Sequence, residues 1–119
     1  MEHRKFTRVD FPGLASVRFS DTIVCGIIKN LGLQGMNIET QSFLPLCMPL
    51  KVLIRLASNR NIYLNARVVY FRGARCGMKT DEIDIASFVT LRNVISAICG
   101  DQMQLMRETF LIIPCLNIV

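Results

Sequence analysis

Residues 23–40 read IVCGIIKNLGLQGMNIET, and this stretch indicates the fold of the chain. The part up to Lys29 is rich in β-branched residues, and residues 36–40 alternate apolar and polar side chains, as strands with one buried face do. Between them, Asn30–Gly35 (NLGLQG) carries two glycines, whose freedom to adopt positive φ favours a reversal of the chain. The stretch therefore predicts two strands and a turn, which either exposes backbone N–H groups to a ligand or is an ordinary hairpin turn.

Alternating apolar and polar residues continue on both sides of this stretch and predict further strands. In residues 62–71 the alternation places Val68 and Tyr70 on the same face. Several short strands followed by helices are typical of a small antiparallel barrel or curled sheet. The other predicted strands cover residues 14–19, 50–56 and 75–79.

After the acidic cluster at 81–84 the apolar spacing changes to three and four, which predicts C-terminal α-helices from about residue 85. The acidic residues suit the start of a helix better than a catalytic carboxylate pair. Gly100 is placed to end the first helix, and Asp101 to cap a second one. The apolar stripes are Phe88, Leu91, Ile95 and Ile98 in the first helix and Met103, Met106 and Phe110 in the second.

Two features near the C-terminus leave alternatives open. The stripe of the second helix has the spacing of a core contact, although an adaptable methionine-rich face also suits a partner protein or a second copy of the chain. The last residues, FLIIPCLNIV, are apolar and broken by Pro114. They are expected to form an added strand, a packed tail or an oligomer contact, and the sequence does not choose among these.

Length and composition predict one folded domain. The chain has 119 residues, of which 51% are hydrophobic and 19% charged, so it carries enough apolar surface for a core. Pro12–Gly13 is expected to break regular structure. We therefore predict a flexible charged arm over residues 1–10 and a single domain over residues 11–119.

Charge and cysteine content limit the partners and the compartment. A net charge of +5 favours anionic partners. Five cysteines without a CxxC pair predict free, buried thiols in a reducing cytoplasm. We expect neither a signal peptide nor a membrane span, since no apolar run approaches the roughly 20 residues that a spanning helix needs. His3, the only histidine, lies in the arm, so we expect no metal site and no histidine-based catalysis.

Two short motifs carry more information than the fold. Arg4–Arg8 (RKFTR) spells RxxxR just before the first predicted strand, and Asn30–Gly35 spells NxGxxG between the second and third. This order resembles the PilZ domain family, whose pattern is RxxxR in an N-terminal arm followed by (D/N)xSxxG at a strand turn. The resemblance in strand order covers roughly residues 3–100. The sequence departs from the pattern at Gly32, where the family usually has serine.

The resemblance implies a mainly β fold, a six-stranded antiparallel PilZ-like β-barrel with C-terminal α-helices, that binds cyclic-di-GMP (c-di-GMP). It implies that Arg4 and Arg8 bind phosphate or guanine, because a guanidinium makes bidentate bonds to either group. Asn30 matches the family's Asp/Asn, and Gly35 matches the closing glycine that lets the backbone approach the ligand. Gly32 lacks the serine hydroxyl, and the loss of one hydrogen bond is expected to weaken binding by about ten- to a hundredfold without abolishing it.

The expected function is that of a c-di-GMP receptor or adaptor in bacterial second-messenger signalling, and not of an enzyme. Nucleotide binding would order the arm and alter a surface for an effector protein that the sequence does not identify. The alternative is a degenerate PilZ-like domain that binds no nucleotide and acts in protein–protein interaction or oligomerisation, for example as a homodimer through the C-terminal helices or tail. Binding to a nucleic acid polymer is not expected, because few aromatic residues remain for an exposed stacking surface.

Overall fold

The period of two in the sequence appears as alternating burial in the structure, a computed structural model that describes residues 6–57 and 59–118. In the strand Leu50–Arg55, Val52 and Ile54 are buried, whereas Lys51 is exposed. Successive side chains of a strand point to opposite faces, so one face of each strand enters the core. The polar side chains remain on the outer face, where the candidate site lies.

Six strands close into an antiparallel barrel in the order β3-β2-β1-β4-β5-β6, and additional pairing of β3 with β6 completes the ring. Closure leaves no long unpaired edge. The six-stranded antiparallel barrel with C-terminal helices that the sequence predicts is therefore confirmed. The strands are β1 (Arg8–Phe19), β2 (Thr22–Gly32), β3 (Gly35–Thr40), β4 (Leu50–Arg55), β5 (Asn61–Arg72) and β6 (Arg75–Ile83).

The first strand begins earlier than the sequence predicts. β1 starts at Arg8, inside the segment expected to be a flexible arm, and Pro12–Gly13 lies within the strand. The pairing with β2 changes register between Asp10 and Gly13, and such an irregularity tolerates a proline that donates no ladder hydrogen bond. The expectation that Pro12–Gly13 breaks regular structure was wrong, and it had placed Arg8 in the arm.

The first helix begins and ends, and the second begins, where the sequence predicts. The Asp84 side chain accepts a hydrogen bond of 2.7 Å from the Ser87 N–H and caps the first helix. Gly100 ends that helix with φ of 75°, a left-handed conformation that favours glycine. Asp101 caps the second helix through a bond of 3.0 Å from the Gln104 N–H. The helices are α1 (Ile85–Cys99) and α2 (Gln102–Ile112).

The buried faces of the helices differ from the predicted stripes. Ile98, expected in the buried stripe of α1, is 48% exposed. In α2 the expected stripe lies outside, with Met103 64% and Phe110 73% exposed. The buried face of α2 also has residues three and four positions apart, but they lie on a different side of the helix from the predicted stripe. One of these buried residues is a glutamate. The buried residues are Ser87, Phe88, Leu91 and Ile95 in α1 and Leu105, Glu108 and Ile112 in α2.

The acidic cluster at 81–84 divides between two elements. Asp81 and Glu82 belong to β6, where Asp81 forms a salt bridge of 3.0 Å with Arg67 on β5. Glu82 accepts hydrogen bonds from Asn65 and Asn117. The prediction that the whole cluster begins a helix was therefore wrong, because only its last carboxylate caps α1.

The C-terminal tail adds a strand to the sheet. After a 3-10 turn (Ile113–Cys115), Leu116 is buried and Asn117–Ile118 forms β7, which pairs in parallel with the end of β6. This is one of the three outcomes that the sequence left open. Among the residues described, no helix is long and apolar enough to cross a membrane.

The five cysteines are free, as expected, but most are not buried. Cys76 on β6 faces the core, and burial raises the pKa of its thiol to about 11. Cys25, Cys47 and Cys115 are exposed, and Cys99 is partly buried. The expectation of buried thiols therefore holds for Cys76 alone.

Candidate functional site

The NxGxxG motif forms a tight hairpin at one end of the barrel. β2 ends at Gly32 and β3 begins at Gly35, so Leu33 and Gln34 alone connect the two strands. The Leu33 side chain is fully buried, and the Gln34 carbonyl accepts a hydrogen bond of 2.7 Å from the Thr80 N–H of β6. These contacts hold the hairpin against the barrel.

The two glycines of the hairpin are needed for close backbone approach. Neither has a positive φ, so the expectation that their left-handed freedom reverses the chain was wrong. A Cβ on Gly32 would lie 2.7 Å from the Thr7 carbonyl oxygen, and a Cβ on Gly35 would collide with the Met78 carbonyl oxygen. The absence of both side chains lets β1 and β6 pass close to the motif.

Arg8, the second arginine of RxxxR, lies directly at this hairpin. It pairs with Gly32 in the β1–β2 ladder, and its Nη1 donates a hydrogen bond of 3.2 Å to the Asn30 side-chain oxygen. Its Nη2 lies 3.5 Å from the position that a Cβ on Gly35 would occupy. The fold therefore brings together four of the five predicted site residues; the fifth, Arg4, lies outside the described residues.

The charge of Arg8 has no acidic partner within residues 6–57 and 59–118. The salt bridges in that part of the chain join other residues, and the only side-chain bond of Arg8 goes to the neutral amide of Asn30. A guanidinium in this setting keeps donors and positive charge for an anion.

Two residues missed by the sequence analysis extend the site across the barrel. Asn37 on β3 donates a hydrogen bond of 3.1 Å to the Asn30 side-chain oxygen, and the Tyr70 hydroxyl on β5 donates one of 2.9 Å to the Asn37 side-chain oxygen. The Tyr70 ring covers Gly77, where a Cβ would collide with the ring. The Cζ atom of Arg72 lies 5.9 Å from the centroid of the Tyr70 ring. A continuous polar chain thus joins β1, β2, β3 and β5.

The position of Tyr70 differs from that predicted by simple alternation. The pairing of β5 with β6 changes register between Val68 and Tyr70, so Val68 is fully buried while Tyr70 is only partly buried. A one-residue irregularity turns later side chains toward the other face. No local sequence pattern marks this change.

A third missed residue comes from α2. Glu108 is fully buried, and its two carboxylate oxygens accept hydrogen bonds from the backbone N–H and the hydroxyl of Thr7 inside the RxxxR motif. Gln104 donates a further bond of 3.0 Å to Glu108. The signal available in the sequence was its spacing of three and four from Leu105 and Ile112.

Metal chemistry receives no support from the side chains of the described residues. No group of three or more His, Cys, Asp or Glu residues there is arranged to hold a metal ion. The site instead offers a guanidinium, two amides and a phenol, which are groups that bind an anionic, hydrogen-bonding ligand.

Comparisons with solved structures show that this barrel has relatives. The "PilZ domain with c-di-GMP of YcgR from Escherichia coli" is 11% identical, with a TM-score of 0.68 over 84% of this chain and 94% of that chain. The inhibitor of motility MotI/DgrA of Bacillus subtilis is 17% identical, with a TM-score of 0.67 over 87% of this chain. The chain spans only about half of MotI, 52% of its length.

A third structure is the PilZ domain of CeSA from a cellulose-synthesizing bacterium. It is 18% identical, with a TM-score of 0.58 over 79% of this chain and 96% of that chain. No curated protein sequence matches the chain. The family model described as "PilZ domain" matches residues 2–97, which include both motifs and the whole barrel. The resemblance inferred from the two motifs is thereby confirmed: the chain belongs to the PilZ domain family.

Proposed function

We propose that this protein is a receptor or adaptor for c-di-GMP in bacterial second-messenger signalling. The observation that carries the proposal is the contact between Arg8 and Asn30, which joins the two family motifs at one hairpin. Solved PilZ domains that contain c-di-GMP share the fold. The proposed ligand-binding residues are Arg4, Arg8, Asn30, Gly32 and Gly35.

The chemistry of the ligand fits these groups. A cyclic dinucleotide presents two phosphodiester anions and two guanine edges, and a guanidinium binds phosphate or guanine O6 and N7 through paired N–H donors. Among the described residues no carboxylate pairs with Arg8, and its positive charge suits this contact. The Asn30 amide is held by Arg8 and Asn37 and offers a donor to the guanine edge or to the hairpin.

The proposed mechanism is an ordering of the N-terminal segment by the nucleotide. The residues before Thr7 include Arg4, the first arginine of the motif, and a ligand seated at the hairpin would draw them across the barrel. This would change the surface that a partner protein meets. Gly32, with no serine hydroxyl, would make the affinity lower than that of a site with the complete family motif.

We propose that the protein acts as a binding module and not as an enzyme, with no cofactor besides the nucleotide ligand. The proposed location is the cytoplasm, where the five free thiols would remain reduced. The polar chain from Arg8 to Tyr70 would then serve recognition, because guanidinium, amide and phenol groups donate and accept hydrogen bonds.

A second candidate is a PilZ-like interaction module that binds no nucleotide. The exposed face of α2 favours it: Met103 is 64%, Phe110 73% and Leu111 60% exposed, and apolar faces of this kind suit a partner or a second copy. Sedimentation of the native chain and of Phe110→Glu tests this candidate. A dimer that the substitution dissociates would support it, and a monomer in both would exclude self-association through this face.

Titration calorimetry with c-di-GMP tests the leading proposal. We expect saturable binding to the folded protein, with far weaker binding of cyclic-di-AMP, which lacks the guanine O6 acceptors, and of GMP, which lacks the second nucleotide. Equilibrium dialysis with labelled c-di-GMP covers the case of a small binding enthalpy. Absence of binding by both methods at high micromolar ligand would reject the receptor proposal and leave the interaction module.

A further inference from the structure

Glu108 is a buried carboxylate on the C-terminal helix whose hydrogen-bond partners include the N-terminal motif. It is 0% exposed, and both its side-chain oxygens accept hydrogen bonds from Thr7. One bond comes from the backbone N–H at 2.6 Å and the other from the hydroxyl. Burial of a charge is costly unless it is paired or hydrogen-bonded. A carboxylate therefore persists at this position only with partners such as Thr7 in place.

Thr7 is restrained from a second side by the hairpin. Its carbonyl oxygen occupies the space beside Gly32, 2.7 Å from where a Cβ would be. The next residue, Arg8, pairs with Gly32 and bonds to Asn30. Helix α2, the arm and the NxGxxG hairpin thus meet at Thr7, inside the RxxxR motif.

We infer that Glu108 is a positioning residue for the ligand arginine, acting through Thr7. Its carboxylate holds the backbone before Arg8, so the guanidinium reaches the hairpin already ordered. Preorganisation lowers the entropy lost on binding. The inference deepens the proposed function and rests on it for the identity of the ligand. The hydrogen bonds from Thr7 to Glu108, which we call the clamp between α2 and the arm, can be measured without any ligand.

The coupling is reciprocal. If Glu108 stabilises the arm in the form that binds nucleotide, bound nucleotide stabilises the Thr7–Glu108 contact to the same extent. Ligand binding at the hairpin would therefore be transmitted to α2, whose outer face carries exposed Met103 and Phe110. This gives a physical route from the nucleotide to a surface that a partner can contact.

Hydrogen exchange of the ligand-free protein, followed by NMR, tests the clamp. Thr7→Val removes the hydroxyl and keeps the side-chain shape, Thr7→Ser restores the hydroxyl, and Thr90→Val is the matched control, since the Thr90 hydroxyl bonds only within α1. We expect the amides of Thr7 and Arg8 to exchange about tenfold faster in Thr7→Val, as loss of one hydrogen bond to a charged group implies. Thr7→Ser and Thr90→Val should exchange like the native protein.

A double-mutant cycle distinguishes the clamp from general damage to the fold. Glu108→Gln keeps the volume but removes the charge, and should also speed exchange at Thr7. If the two residues act on each other, adding Thr7→Val to Glu108→Gln will have less effect than Thr7→Val has alone. Fully additive effects would overturn the inference of a direct clamp.

Titration of the same variants with c-di-GMP tests the positioning role. We expect Thr7→Val to lower the affinity by about three- to tenfold, with Thr7→Ser and Thr90→Val unchanged. Faster exchange with native affinity would overturn the positioning role, and native exchange in Thr7→Val would overturn the clamp itself. If the native protein binds no c-di-GMP, the receptor proposal fails, and the exchange data alone decide whether α2 clamps the arm.

Discussion

The guanidinium of Arg8 lies 3.2 Å from the side-chain oxygen of Asn30, although the two residues are 22 positions apart in the chain. The contact joins the two motifs that identify the family, and within the described part of the chain the charge of Arg8 has no acidic partner. We expect Arg8→Ala to lower the affinity for c-di-GMP by about ten- to a hundredfold, because hydrogen bonds to a charged group contribute roughly 1.5 to 3 kcal/mol each. Calorimetric titration measures the loss.

Two control variants make the Arg8 test specific. Arg18→Ala removes an exposed guanidinium from the other end of β1 and should leave the affinity unchanged. Arg8→Lys keeps the charge but not the paired donors and should recover only part of the binding. Equal losses in Arg8→Ala and Arg18→Ala would show that net charge, and not the site, governs binding.

Gly32→Ser restores the family's serine but introduces a Cβ 2.7 Å from the Thr7 carbonyl oxygen. We expect both Gly32→Ser and Gly32→Ala to lower the free energy of unfolding by about 1–3 kcal/mol, as overpacking commonly does. Urea denaturation measures this change. The hydroxyl should make Gly32→Ser bind c-di-GMP at least about tenfold more tightly than Gly32→Ala. Equal affinities would show that the serine hydroxyl has no role at this site.

Tyr70→Phe removes the hydroxyl that donates to Asn37. Asn37 is only 8% exposed, so its side-chain oxygen loses a partner in a largely buried place, and the free energy of unfolding should fall by about 1 kcal/mol. Tyr63→Phe is the matched control, because Tyr63 is 53% exposed and should tolerate the change. A larger loss in Tyr63→Phe, measured by urea denaturation, would contradict the structural role given to Tyr70.

Asp84→Ala removes the cap of α1. The carboxylate accepts bonds from both the N–H and the hydroxyl of Ser87, and the Ser87 hydroxyl in turn accepts a bond from the Tyr63 N–H of β5. Loss of the cap should lower the free energy of unfolding by about 1–2 kcal/mol, whereas Asp84→Asn should retain most of it. Thermal unfolding that fails to separate the two variants would argue against capping as the cause.

Cys76 should resist alkylation in the folded protein. Its thiol is buried, with a pKa raised to about 11, so at pH 8 it is neither accessible nor ionised. Cys25, Cys47 and Cys115 are exposed and should react with iodoacetamide. Mass spectrometry of the labelled protein should show Cys76 unmodified until urea is added. Rapid labelling of Cys76 in the native protein would contradict its placement in the core.

The raised pKa of the Cys76 thiol makes the stability of the protein depend on pH. In the unfolded chain the thiol loses its proton near pH 9.0, whereas in the folded protein it keeps the proton up to about pH 11. The folded state therefore binds more protons in this window, and the contribution of Cys76 to stability is complete below pH 9.0 and is lost as the pH rises toward 11. Comparing Cys76→Val with the native protein in urea across this range isolates the effect.

Much of the architecture is encoded locally and could be predicted. The alternation of apolar and polar residues in 50–56 and 62–71 predicted strands, because a period of two buries one face of a strand. Gly100 and Asp101 marked helix boundaries because left-handed φ and N-capping are properties of single residues. The order of RxxxR and NxGxxG matched the family pattern, and this resemblance implied the candidate site.

The rest depends on contacts between distant segments. The function of Gly32 is set by Thr7, which approaches it from the segment before β1, and the glycine alone does not show this. The choice between the two apolar faces of α2 depends on what the helix packs against, so the sequence left open whether Phe110 faces the core or a partner. Glu108 resembled any exposed helical carboxylate until its partner, more than 100 positions earlier in the chain, was known.

The most direct test of the central claim is the two-dimensional ¹H–¹⁵N NMR spectrum of the protein during titration with c-di-GMP. The account predicts that the largest shifts occur at Arg8 and at the amides of residues 30–35, with smaller changes along α2 around Glu108. Shifts confined to other parts of the barrel, or a spectrum unchanged at saturating nucleotide, would contradict it.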